Sequence, residues 1–292
     1  MRLARTYRTY RGLWLLAPGL LLLMIFFLIP MFELLRISLL KYDAVQLYLP
    51  EVTLENYKKF FSDPYFFGMI LNSLKVGFYT TAFTLVFAYP IAYYLTQIRG
   101  IERTILSAIC LLPIFVTILV TTLGWYILLL PFGMTQKVLS LLGLIEGRLT
   151  WLQSLPSLII VLVHLHIPYA ILILASSIQN IPEEKLNAAR ILGASTPKVF
   201  QKIIIPLTMP GIVSSAILVF ALSVSSYLVP ILITGQKLRL LPMAIFSYTA
   251  DLLNWPFASV IAIILLVIVS IATYMFTEIT NRLIGRGKWE EV

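Results

Sequence analysis

The sequence is 292 residues long, 60% hydrophobic and only 12% charged, with a formal net charge of +9 and a mean hydropathy of +0.93. Soluble domains carry about 25% charged residues, so this composition excludes a water-exposed globular enzyme or binding module. The basic excess does not point to nucleic acid either. Its cations cluster in short segments between apolar runs, where lysine and arginine hold loops on the cytoplasmic side of a lipid bilayer.

The first apolar run covers about 12–35 and follows Arg2, Arg5, Arg8 and Arg11. Residues 13–32 carry no charge, too long a stretch for the core of a cleaved signal peptide, so the run reads as a retained helix with its N-terminus inside. A polar loop, KYDAVQLYLPEVTLENYKKFFSDPYF, leads to a second run at 67–96. That run ends at QIRGIERT, with Arg99 and Arg103. A third run at 105–130, a loop over 131–155 and a fourth run at 156–178 follow. After a polar segment come a fifth run at 210–234, a loop through Trp255 and a sixth run at 257–279. Arg282, Arg286 and Lys288 close the chain.

Each run is long enough to cross a bilayer, which takes roughly 20 helical residues. The expectation is an all-α polytopic bundle of six spans forming one membrane domain over 1–292, with both termini cytoplasmic. On that topology thirteen of the 22 Lys+Arg fall on the cytoplasmic side. Cys110 is the sole cysteine, which excludes an intramolecular disulfide and a cysteine metal cluster. Pro30, Pro90, Pro113, Pro168 and Pro230 lie inside the spans. Each removes a backbone donor and is expected to kink its helix.

The polar segment over about 180–209, NIPEEKLNAARILGASTPKVFQKIIIPLTM, reads as helix, turn, helix. Asn180 is placed to cap, Pro182 suits a first helical position, and Glu183 and Glu184 favour the positive end of the helix dipole. Gly193 suits the left-handed residue that ends a helix. Thr196 and Pro197 restart it, and the run ends at Pro206. Ala188 and Ala189 leave one side nearly bare, either for an external backbone or for this chain's own helices.

The spacing N-A-A-x-x-x-G-x9-I-x-I-P, from Asn187 to Pro206, resembles the cytoplasmic EAA loop of ABC-importer permease subunits, the loop that docks into a cleft on the ATPase. Ala188, Ala189, Gly193, Ile203 and Pro206 match, and Ile205 replaces the usual leucine. Asn187 stands where the family has glutamate, which turns a charge-assisted contact into a neutral one. Glu183 or Glu184, one turn earlier, is the candidate replacement. TLENYKKFFSDPYFFGMILNSL, AYPIAYYL, SYLVPILITG and NWPFAS are similar to the polyamine-type branch, that of spermidine/putrescine importers, and within it to the first permease subunit.

This resemblance implies a type I importer permease fold with a cytoplasmic coupling helix in a bacterial inner membrane. It implies two ABC ATPase subunits that hold ATP and magnesium, a second and distinct permease subunit, and a periplasmic substrate-binding protein. Glu183, Glu184, Asn187, Ala188, Ala189, Arg190, Gly193 and Pro206 would contact the ATPase. The chain itself has no G-x-x-x-x-G-K-[ST], so a phosphate-binding loop must come from a partner. No catalytic residue or cofactor is expected in this chain.

Polar groups inside spans usually face the bundle interior or a water-filled cavity. Asn72, His164, His166, Tyr169, Ser223, Ser226, Tyr227 and Asp251 are therefore candidates for the translocation path, with Ser73, Ser225, Tyr248, Trp255 and Glu33 as further possibilities. Helix–helix hydrogen bonding is the competing role for the hydroxyls. His164 and His166, at i and i+2, point to different sides of a helix, a poor geometry for one metal. A secondary transporter or channel is the alternative function, and an enzyme built on the histidine pair the second. Beyond these histidines and hydroxyls the reading finds no ionisable group in the spans, and no inverted repeat.

Overall fold

The computed structural model describes residues 2–143 and 151–285, with side chains over 16–143, 151–189, 191–279 and at Arg282. Arg286 and Lys288, and the side chains of Arg2, Arg5, Arg8, Arg11 and Arg190, lie outside the described residues. Among the described residues, four helices are long and apolar enough to cross a bilayer: Leu16–Ser38, Pro64–Gln97, Leu155–Gln179 and Trp255–Ile279. Two bent pairs raise the number to six if each is one span.

The chain divides into two compact units, 1–63 with 245–264, and 64–244 with 265–292. In the first, α1 (Arg2–Ser38) is followed by an antiparallel pair, β1 (Leu40–Asp43) and β2 (Leu47–Val52), and by α2 (Glu55–Ser62). The expected polar loop is thus a hairpin and a helix. Its turn is held by Asp43, whose Oδ1 accepts from Val45 N (2.8 Å) and Gln46 N (2.7 Å). Lys41 pairs with Glu51 across the strands at 3.0 Å. Asn56 Nδ2 donates to Leu40 O (2.9 Å), and Tyr57 meets Ser38 at 2.8 Å, which docks α2 on the hairpin's root.

The second unit is built on α3 (Pro64–Gln97). After it come α4 (Gly100–Phe115), α5 (Ile118–Leu129), α6 (Met134–Leu141) and α7 (Leu155–Gln179). The polar segment holds α8 (Glu183–Ile191) and α9 (Thr196–Val199), which runs through a π turn (Phe200–Ile204) into α10 (Ile205–Leu207). Then follow α11 (Met209–Val224), α12 (Leu228–Ile233) and the start of α13 (Leu241–Phe246); the π turn (Ser247–Asp251) and the first part of α14 (Trp255–Gly285) are counted with the first unit.

The expected third span is not straight: α4 and α5 meet at 96°. Pro113 cannot donate within α4, Val116 N reaches back only to Pro113 O, and Thr117 starts a new helix by accepting from Val120 N. The expected fifth span also breaks, at 225–227, where Pro230 leaves the carbonyl of Ser226 without its helical donor. Through Pro30, Pro90 and Pro168 the helices run on.

The core of this unit is the mutual packing of α3, α7 and α11. One buried cluster gathers Val76, Leu158, Leu162, Val229 and Ile233, and another Ala88, Ala92, Ala170, Leu174, Ile178 and Val219. Small residues let the helices close up, the usual device where lipid supplies no hydrophobic drive between helices. A Cβ at Gly77 would collide with Val224 and Phe220, and one at Gly211 with Ser177.

Two outcomes test this account. Gly211→Val must push α11 off α7 and should cost about 1–3 kcal/mol, read as an earlier melt in detergent, whereas Gly124→Ala, with open space around it, should not. Two backbone donors hold the Asp43 carboxyl below its ordinary 3.8. Its contribution to the turn is therefore full above that value and is lost as pH falls through the folded one. Corrected for the intrinsic base-catalysed rate, the protection of the Val45 and Gln46 amides should drop over that fall, and Asp43→Ala should remove the drop.

Candidate coupling segment and polar helix contacts

Gly193 has φ +77° and ends α8 as its sequence position suggests. Ala194 N reaches back to Ala189 O at 3.0 Å, and Leu192 N to Ala188 O at 3.1 Å. Such a left-handed cap satisfies the last carbonyls. The start of α8 differs from expectation. Asn180 closes α7, and Pro182 precedes the first helical residue, its carbonyl accepting from Lys185 N at 3.1 Å. Likewise Ser195, not Thr196, is the residue before α9.

The bare face is divided between two roles. Ala189 is buried with Ile181, Val199 and Ile204, against Tyr93 and Phe200. Glu183, Glu184, Asn187 and Ala188 are exposed, as are Gly193 and Pro206. Beyond them Ile191 and Leu192 are 86% and 87% exposed, so two large apolar side chains crown the free side of the segment.

The segment is gripped from α3. Phe200 takes the edges of Tyr89 and Tyr93 at centroid distances of 5.7 and 5.1 Å. Tyr89 OH meets the buried Thr208 Oγ1 at 2.7 Å. Thr208 directs its own proton to Ile204 O (2.9 Å) and Ile205 O (3.1 Å), so the phenol is the donor to it. Thr208 stands at the 63° bend between this segment and α11. With Pro206 and Pro210 on either side, two backbone donors are missing at the bend, and the Thr208 hydroxyl adds a side-chain donor to the carbonyls of Ile204 and Ile205. The π turn just before Pro206 has the same origin, Ile205 N bonding back to Phe200 O.

Among the path candidates, His166 and Ser223 come together, buried, at 3.1 Å. Ser223 donates its proton to Val219 O at 2.7 Å, so His166 carries its hydrogen on Nδ1 and presents Nε2 as an acceptor. His164 turns instead to Trp125, 5.6 Å between ring centroids. Asn72 Nδ2 donates to Arg239 O at 3.3 Å and Ser73 Oγ accepts from Leu241 N at 3.0 Å; both fasten the stretch before α13 to α3. Tyr227 packs on the core cluster at the α11–α12 break, Ser226 N bonds to Ser223 O, and Tyr169 is half-buried on α7. In the other unit Asp251 is exposed, Glu33 is neutralised by Arg36 at 2.6 Å, Tyr248 stacks on Phe257, and Trp255 opens α14 partly exposed.

A model of the binding-protein-dependent transport system inner membrane component matches residues 83–286. The chain belongs to that family. Within it, the spermidine/putrescine transport system permease protein PotB of Haemophilus influenzae is 32% identical over 264 residues, 90% of this chain and 92% of the relative. PotB of Escherichia coli K12 is 30% identical over the same length, covering 90% and 95%. The fold agrees with that of a bacterial alginate ABC transporter solved with an alginate pentasaccharide-bound periplasmic protein (TM-score 0.78, 17% identity, 96% of this chain and 97% of that one). An ABC-importer permease of the inner membrane, with a multi-pass helical bundle, is thus the family's and this chain's architecture.

Three features of this family member escaped the sequence reading. Tyr89 in the second run and Thr208 at the end of the polar segment carried no signal of their own, and only the fold brings them together. Lys75 does lie inside the second span, on the exposed face of α3 beside Phe78 and Tyr79, as Glu33 and Glu278 lie at the ends of the first and sixth, which corrects the expectation of no further ionisable group; counting charges span by span would have found them. Thr80, Thr84 and Ser215 are buried hydroxyls with no partner among the described residues. Thr208→Val should leave the Tyr89 phenol without its acceptor and cost about 1–3 kcal/mol in a detergent melt, with Thr208→Ser restoring most of it.

Proposed function

We propose that this chain forms, with a second and distinct permease subunit, the translocation path of an ATP-driven polyamine importer. In this reading both termini lie in the cytoplasm, and α8 through α10 dock onto an ATPase that holds ATP and magnesium. The chain itself performs no covalent chemistry. The observation that carries the coupling role is the division of α8: Ala189 anchors it within the chain, while Asn187, Ala188, Ile191 and Leu192 stand free. A segment facing only water has no reason to present two nearly bare large aliphatic side chains, whereas an interface core does.

Mechanically, closure of the ATPases would push on α8. Phe200 wedged between Tyr89 and Tyr93, and the Tyr89–Thr208 bond, would pass that push to α3 and α11. Glu183 and Glu184 are exposed one turn before Asn187, where either carboxylate can supply the charge that Asn187 lacks. The polyamine assignment rests on PotB relatives that align over 90% of this chain. A periplasmic binding protein would deliver the substrate.

The test is to purify the tagged chain from its native membrane with whatever binds it, then reconstitute the assembly. ATP-dependent uptake of radiolabelled spermidine, with a co-purifying ATPase, is the expected result. Ala188→Trp should weaken ATPase association about tenfold, the scale of one obstructed interface anchor, without lowering the melting point of this chain. Uptake by the chain alone, without ATP, would overturn the proposal in favour of a secondary transporter.

A further inference from the structure

A groove of about 230 Å³ opens between α4 and α7, floored by Leu95 of α3. It belongs to neither the coupling segment nor the path candidates. Its lining is ordered by polarity. α11 runs antiparallel to α7, since Gly211 abuts Ser177 and Ser223 meets His166. It also runs antiparallel to α3, since Gly77 abuts Val224 and Tyr89 meets Thr208. α3 and α7 therefore run the same way, and α4, entered by the two-residue turn at 98–99, runs back against α7.

In that arrangement Arg103 and Ser107 of α4 share one end of the groove with Gln179 and Ser176 of α7, and Leu111 and Leu172 share the other. The two ends are about 12 Å apart along α4, from a rise of about 1.5 Å per residue. The Arg103 side chain makes no ion pair or hydrogen bond among the described residues. Its acidic neighbour Glu102 does not line the groove and instead accepts from Tyr94 OH at 3.2 Å. The polar end of the groove is therefore a cation with three neutral hydrogen-bonding side chains and no compensating carboxylate.

We infer that this groove holds one anionic phospholipid of the leaflet on the coupling-segment side, its phosphate at Arg103 and an acyl chain along Leu111 and Leu172. A free phosphate would use only the polar end and leave the apolar half unfilled. A neutral lipid would leave the arginine charge unanswered. A basic pocket between transmembrane helices, with a hydrocarbon wall beneath it, matches an anionic headgroup and its chain together. The inference needs only that α4 lies in the membrane beside α7, and stands apart from the substrate and from ATPase docking.

The experiment is native mass spectrometry of the full chain, delipidated in mild detergent and titrated with phosphatidylglycerol or phosphatidylcholine of identical acyl chains. Wild type should retain phosphatidylglycerol at about fivefold lower concentration, the preference one cation gives toward an anionic headgroup. Arg103→Gln should erase that preference and Arg103→Lys keep it. Lys75→Gln, a cation outside the groove, should leave it intact. Leu172→Trp should block both lipids by filling the apolar half. Equal retention of the two lipids by wild type, a preference that survives Arg103→Gln, or displacement by glycerol 3-phosphate at the lipid's own concentration would each overturn the lipid assignment.

Discussion

A backbone in hydrocarbon finds no water to bond, so each of its peptide groups must be satisfied within the protein. The architecture of this chain follows from that constraint and from the places where proline breaks it. Where a helix simply runs on, as α1, α3 and α7 do through Pro30, Pro90 and Pro168, the cost is local. Where prolines crowd or a start signal follows, the helix turns: at Pro113 followed by Thr117, and at Thr208 between Pro206 and Pro210. At the first a threonine hydroxyl accepts from a backbone N–H of the new helix, and at the second a threonine hydroxyl donates to carbonyls of the turn before it.

The second bend matters most for the proposed coupling role, because it joins the polar segment to the packed core. Behind it, α11 is locked to α7 and α3 by glycines that allow no added carbon. Ahead of it, Phe200 and Thr208 are held by aromatic and hydroxyl contacts from α3. In the proposed coupling role, a displacement of α8 would therefore bear on two core helices. That is the property a coupling element needs, and it belongs to this chain's own contacts.

Much of this was legible beforehand where the signal is local. The apolar runs announced a helical membrane protein, and Gly193 announced a left-handed cap because a glycine after a good helix-forming run has few other uses. The Asn187–Pro206 spacing pointed to the family that the residues 83–286 match shows. What stayed hidden depends on neighbours distant in sequence. Nothing in Ala188-Ala189 says which alanine is buried; that depends on Val199 and Ile204 folding back over one of them. The polar stretch after the first span alternates too weakly to declare a hairpin, yet Asp43 and the Lys41–Glu51 pair make one. Polarity alone singled out Asn72 and Ser223, but that one bonds Arg239 O and the other meets His166 depends on the fold.

The claim on which the account turns is that the free side of α8 is a contact surface for a separate ATPase. Placing a photo-crosslinking amino acid at Leu192, 87% exposed, in native membranes tests it most directly, with a second chain labelled at Val45 in the hairpin turn as reference. The account predicts a crosslink from position 192 to a P-loop ATPase and none from position 45. A chain that crosslinks from position 192 only to lipid or to itself, while still transporting, would contradict it.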